Sequence, residues 1–157
     1  MHVECIVNTA NPYPAIGDGC DSAIYHAAGS SELLAYRNAL GKFEECDVFL
    51  TPGFALDCQY ILHVVSYYEG EQTNALIHQC YHNAFQVIEE NNIKSVAFPL
   101  ISTGSYRCPK EIGFRIALEE GYISKMVNSR NRINEKIIFL HVSNTEEICD
   151  LMHSFLD

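Results

Sequence analysis

Apolar positions along the chain fall into alternating short runs and helical stripes. Residues 2–8 (HVECIVN) are rich in apolar and β-branched types and run toward the turn residues Asn11, Pro12 and Pro14, which predicts a first strand. Residues 20–28 (CDSAIYHAA) read as a short helix ended by Gly29, and Ser30 or Ser31 can cap a second helix through about Leu40. Two strand segments follow, 46–51 (CDVFLT) and 59–66 (QYILHVVS). Over 73–90 the residues Leu76, Cys80, Ala84, Val87 and Ile88 share one stripe, so this segment predicts a long helix closed by Asn91-Asn92. Residues 94–101 (KSVAFPLI) read as a buried strand. Pro109 is placed to start a helix whose inner face carries Ile112, Ile116, Ile123 and Val127. A last strand is expected at 136–142 (KIIFLHV). After it, Asn144 with Glu147 resembles a capping box before the helical stripe Ile148, Leu151, Met152 and Phe155.

Near-continuous apolar strands separated by helices predict a mostly parallel mixed sheet covered on both faces, a three-layer α/β/α sandwich. The length of 157 residues fits a single domain over 1–157, and 48% apolar residues suffice for a full core. No apolar run approaches the roughly 20 residues of a membrane helix. The start MHVECIVNTAN has no basic region followed by an apolar stretch and a cleavage site, so export is not expected. Lys and Arg number 10 against 20 Asp and Glu, for a formal charge of −10. With no basic run, that balance argues against a nucleic-acid partner, because a phosphate backbone is held by clustered cations. The seven cysteines (5, 20, 46, 58, 80, 108, 149) contain no C-x-x-C pair, and most lie in apolar surroundings. That usage suits a reducing cytoplasm rather than a disulfide framework.

In sheets of this class, ligands bind beyond the carboxyl ends of the strands. Two loops fall there. The first contains Gly17 and Gly19 directly before a helix, where unpaired N–H groups and the helix dipole suit a phosphate; a plain turn is the alternative reading. The second reads STGSYRCP and offers the hydroxyls of Ser102, Thr103 and Ser105 beside Gly104. Together they suit two adjacent phosphates. His78 and His82 are spaced i, i+4, but a solvated helix face accounts for them, and no metal site is expected. His63 and His141 read as core or strand-end histidines.

The residues resemble a known family. V-N-T-A-N at 7–11 is similar to the V-N-A-A-N of macrodomains, the ADP-ribose-binding fold, and Asp21 stands at the family's spacing from Asn8. GFALDCQYILHVV at 53–65 and VAFPLISTGSYRCP at 96–109 resemble two further family segments. The resemblance implies that Asn11 and Asp21 contact the distal ribose and position an attacking water, as in MacroD-type hydrolases. It places Gly17, Gly19 and Cys20 in the first diphosphate loop, with Asn8 and Ala10 lining the ligand. It places Ser102, Thr103, Gly104, Ser105 and Tyr106 in the second loop, with the Tyr106 ring near the ribose. The implied activity is hydrolysis of mono-ADP-ribose from modified protein or deacetylation of O-acetyl-ADP-ribose, without metal or cofactor. The alternative is a reader that binds without turnover.

Departures from the family pattern set three further expectations. The chain opens at what resembles the family's second strand, so the Asp that reads adenine has no counterpart, and Asn144 is the candidate for that base. Asp18 stands in the glycine run and is expected to turn away and cap the helix; otherwise its charge stands near the diphosphate and ADP-ribose binding is weak. Arg107 stands where the family has glycine; either its backbone is strained or its guanidinium pairs with a phosphate.

Overall fold

The computed structural model describes residues 2–66, 69–103, 107–128 and 136–140. The strands are β1 (Cys5–Ala10), β2 (Val48–Pro52), β3 (Tyr60–Val65), β4 (Ser95–Pro99) and β5 (Lys136–Leu140). The helices are α1 (Cys20–Ala28), α2 (Ser30–Leu40), α3 (Asn74–Glu90) and α4 (Lys110–Asn128), with a 3₁₀ turn at Glu71–Thr73 leading into α3. One sheet has the order β2-β3-β1-β4-β5. Among the described residues only the β2–β3 pair is antiparallel; β1–β3, β1–β4 and β4–β5 are parallel. The expected mixed, mostly parallel α/β sheet is therefore present.

Successive side chains on a strand face opposite ways, and the core divides accordingly. Cys5 and Val7 of β1, Leu62 and Val64 of β3, and Val96 and Phe98 of β4 pack with Ile77, Tyr81, Phe85 and Ile88 of α3 and with Ile116 and Ala117 of α4. The alternate residues Ile6, Ile61 and Ala97 pack with Ile24, Tyr25 and Ala28 of α1 and Leu33 of α2. The predicted α3 stripe is in place: Cys80, Ala84 and Ile88 are buried, and Leu76 and Val87 pack against the same cluster.

Several boundaries differ from the sequence reading. β1 begins at Cys5 because the Glu4 N–H is already bonded to Ser95 Oγ, and it runs on to Ala10 because β3 pairs with it as far as Val65. β2 begins only at Val48, since Cys46 sits at φ 64 and its N–H bonds Val65 O in a turn. Neither Ser30 nor Ser31 caps α2. Gly29 ends α1 by donating its N–H to Tyr25 O and also occupies the N-cap of α2. On α4, Ile112 packs against the core and Ile116 is buried, but Ile123 is exposed. The inward face instead carries the small residues Gly113, Ala117, Gly121 and Ser124, which share a helical stripe. Val127's side chain and the segment from 141 onward, with His141, Asn144 and the last helical stripe, lie outside the described residues.

No helix among the described residues is long and apolar enough to cross a membrane. His78 faces α4, where its Nδ1 lies 2.9 Å from Glu120 Oε1. His82 is exposed, and no group of three metal-ligating side chains occurs among the described residues.

Candidate functional site

β1 and β4 are parallel neighbours, so the loops that leave their carboxyl ends lie side by side. The chain leaving β1 enters α1 on one face of the sheet; the chain leaving β4 enters α4 on the other. This divergence opens a crevice of the kind in which α/β sheets bind ligands. Both sequence-predicted loops border it.

In the first loop, Asp21 stands in the first turn of α1 and is 3% exposed. Its Oδ1 accepts from Asn8 Nδ2 at 2.6 Å, and its Oδ2 accepts from the Gly17 backbone N–H at 2.6 Å. Asn11 Nδ2 donates to Ala15 O at 3.0 Å, which folds the loop back on itself. Gly17 lies between the two residues expected to act on substrate. A Cβ there would sit 2.9 Å from Asn11 Nδ2 and 3.3 Å from Asp21 Oδ2. Asn8, Asn11, Gly17 and Asp21 therefore form one cluster. Gly19 is the N-cap of α1 at φ 61, a left-handed backbone that disfavours any side chain. Asp18 does not cap α1: it is exposed, and the N-cap is Gly19, which has no side-chain cap hydrogen bond. Because Gly19 holds the cap position, Asp21 reaches back to the loop instead.

Burial raises the pKa of Asp21 above its ordinary value; the hydrogen bonds from Asn8 and Gly17 and the charge of Arg37 oppose that rise. Cys20, half-buried, has its thiol pushed up to about 12 by burial, against a backbone hydrogen bond at Thr9. Burial thus favours its thiol over the thiolate that a nucleophile needs. Ala10, half-buried, ends β1 at the mouth of the crevice.

In the second loop, Cys108 N–H donates to Ser102 O at 2.8 Å and closes the turn. Ser102 is buried at φ 65. Thr103 donates its hydroxyl to Leu100 O at 2.7 Å, and a Cβ on Gly113 would come within 2.5 Å of Thr103 Cγ2. Thr103 thus seats the turn on the first turn of α4. Arg107 is exposed and adopts φ 58, so the strain expected of a side chain at a glycine position is present. Gly104, Ser105, Tyr106 and Asn144 lie outside the described residues.

Behind the first loop stand residues the sequence reading did not select. Arg37 of α2 is 2% exposed. Its guanidinium donates to Gly41 O, to Pro12 O at 2.9 Å and to Asn11 O at 3.3 Å. It also lies over the rings of Phe43 and Phe49, 4.8 and 4.9 Å from their centroids. A buried cation with no carboxylate in direct contact among the described residues thereby pins the Asn11-Pro12 backbone. An arginine on a weakly amphipathic helix gives no such signal in a sequence; the nearby Phe43 and Phe49 were the one hint of an aromatic seat.

A family model described as the Macro domain matches residues 7–117. The chain is 35% identical over 144 residues to mouse ADP-ribose glycohydrolase MACROD2, covering 88% of this chain and 30% of that protein. It thus spans under a third of that relative's length. It is 38% identical over 125 residues to an O-acetyl-ADP-ribose deacetylase of Cronobacter sakazakii, covering 76% of this chain and 69% of that one. The macrodomain of Oceanobacillus iheyensis with ADP superposes with a TM-score of 0.79 at 28% identity, covering 98% of this chain and 84% of that one. With the strand-end crevice, the paired loops and the matched segment in agreement, the chain belongs to the macro domain family.

Proposed function

We propose that this chain binds ADP-ribose and hydrolyses mono-ADP-ribose from modified protein side chains, or deacetylates O-acetyl-ADP-ribose. The observation that carries this reading is the buried Asp21 carboxylate, fixed by Asn8 and the Gly17 N–H beside Asn11 at the switch-point crevice. The activities in the names of the mouse and Cronobacter relatives support it.

In this reading Gly17, Gly19 and Cys20 of the first loop and Ser102 to Arg107 of the second cradle the diphosphate. Asn8 and Ala10 line the floor, and Asn144 is the candidate for adenine. Asn11 and ionised Asp21 hold a water against the anomeric carbon of the distal ribose. As the water oxygen bonds that carbon, the bond to the side-chain oxygen breaks. One water proton ends on the departing side chain, and ADP-ribose leaves with a new hydroxyl.

A reader without turnover is the second reading. Its support is that both oxygens of Asp21 already accept a protein hydrogen bond, an arrangement suited to orienting a ribose hydroxyl. Incubation with a protein mono-ADP-ribosylated on an acidic side chain, followed by mass spectrometry, separates the two. The hydrolase reading expects release of ADP-ribose and at least a hundredfold loss in Asp21→Ala. Equal rates for both proteins would remove Asp21 from its role. Calorimetric binding of ADP-ribose with no product would leave the reader.

A further inference from the structure

The register of the sheet sets a row of side chains on the α1/α2 face. Asn8 of β1 is the direct partner of His63 on β3, and His63 is the direct partner of Phe49 on β2. Thr51 lies two residues beyond Phe49 on the same face. Asn8 and His63 are both fully buried.

With Asp21 ionised, the donors and acceptors of this row fit one arrangement. An amide nitrogen carries two hydrogens, and Asn8 Nδ2 makes two contacts: Asp21 Oδ1 at 2.6 Å and His63 Nδ1 at 3.1 Å. His63 Nδ1 must therefore accept, and the ring proton sits on Nε2. Nε2 lies 3.0 Å from Thr51 Oγ1, and Thr51 donates its own hydroxyl to Pro52 O at 3.1 Å. Thr51 is thus left free to accept from the ring. Flipping the Asn8 amide would set its oxygen 2.6 Å from the ionised Asp21 carboxylate. The ring itself is held face to face by Phe49, with centroids 4.6 Å apart and planes 5° from parallel. Among the described residues Asn8 Oδ1 has no hydrogen-bond partner, so the contacts that orient the amide are those of Nδ2.

We infer that His63 is a positioning residue for the candidate catalytic carboxylate: by accepting the second amide proton of Asn8, it locks that amide with an N–H toward Asp21. The inference deepens the functional reading above and rests on it for the reaction that Asp21 serves. Titratable groups surround Asp21 from several elements. Arg37 approaches from α2, while Cys20 and Tyr25 lie on α1. Behind Asn8, His63 is held neutral by burial and by Arg37, with its pKa down to about 3. The ring therefore supplies an acceptor, not a charge, throughout the neutral range.

Two substitutions of similar size and polarity separate positioning from packing. The amide of His63→Asn falls near the ring's Nδ1 edge and can return an acceptor to Asn8. The amide of His63→Gln falls near Nε2 and serves Thr51 instead. Carbon-13 NMR of the Asp21 carboxyl, assigned by its loss in Asp21→Asn, reads the titration without need of turnover. In His63→Gln that titration and the acid limb of kcat move up by about one pH unit, the size of one charge-assisted hydrogen bond, while KM changes less than twofold. In His63→Asn the Asp21 titration stays at the wild-type position, although both variants melt lower. Equal displacement in both variants, or none in either, overturns the inference. Nitrogen-15 shifts of the His63 ring in the wild-type protein give a check that no folding defect can obscure: a proton on Nδ1 overturns it as well. Absence of turnover in the wild type would count against the proposed function, while the carboxyl titration would still decide the role of His63.

Discussion

The buried imidazole makes the stability of this fold sensitive to mild acid. His63 has no exposed surface, stacks on Phe49 and accepts from Asn8. Its pKa falls from 6.5 to about 3 because burial, and then the Arg37 charge, disfavour the imidazolium. Unfolding frees the ring to take a proton near 6.5. Between these values the unfolded chain binds more protons than the native one, so stability is full above about pH 6.5 and declines as the pH falls toward about 3. At about pH 4.5 this single group costs about 3 kcal/mol of stability relative to neutral pH. For a chain of this size that is a fall in Tm of roughly 6–12 °C. Carboxylates contribute as well, Asp21 among them. With its folded pKa raised, Asp21 has the opposite sign: its share is present in acid and is lost as the pH climbs through its folded value. Urea unfolding of wild type and His63→Asn at about pH 7 and about pH 4.5 isolates the histidine. The variant starts less stable, and the gap between the two should narrow by about 3 kcal/mol in acid. A gap that stays constant would refute a neutral, desolvated His63.

Three further outcomes follow from contacts at the loops. Gly17→Ala, whose Cβ would lie 2.9 Å from Asn11 Nδ2, displaces Asn11 and lowers kcat/KM at least tenfold, with a loss in urea stability under about 1 kcal/mol because the loop is half-exposed. Arg37→Met removes the donors to Gly41, Pro12 and Asn11 and the cation over two rings; urea unfolding should show a loss of about 2–4 kcal/mol, and calorimetry weaker ADP-ribose binding. Arg107→Gly relieves the left-handed backbone at φ 58 and raises stability by up to about 1 kcal/mol. If its guanidinium also serves the diphosphate, the same variant binds ADP-ribose more weakly and with less salt dependence, as calorimetry at two ionic strengths would read.

The elements were legible because each rests on local pattern. Near-continuous apolar runs gave β3 and β4, and the Leu76-to-Ile88 stripe gave α3 almost to its ends. Asp21, Gly17 and Asn11 were legible as well, through motif spacing, and the fold brings them into one cluster. What could not be read depends on register. Asn8 meets His63 only because β1 pairs with β3 in one alignment of the two strands, and a shift of one residue would turn His63 to the other face. From the sequence, His63 was a core or strand-end histidine; it is a core one, and the sequence omits its partner. Arg37 was missed for a related reason: its seat is assembled from Phe43, Phe49 and three carbonyls contributed by separate segments. The capping expectations at Asp18, Ser30 and Ser31 failed where a neighbouring glycine, Gly19 or Gly29, took the N-cap with its backbone.

Amide chemical shifts of the isotopically labelled chain during a titration with ADP-ribose test the assigned site most directly. Saturable changes are expected at Gly17, Asp21 and Thr103, abolished for the first loop in Gly17→Ala. Changes confined to residues away from the β1 and β4 carboxyl ends, or none at all at millimolar ligand, would contradict it.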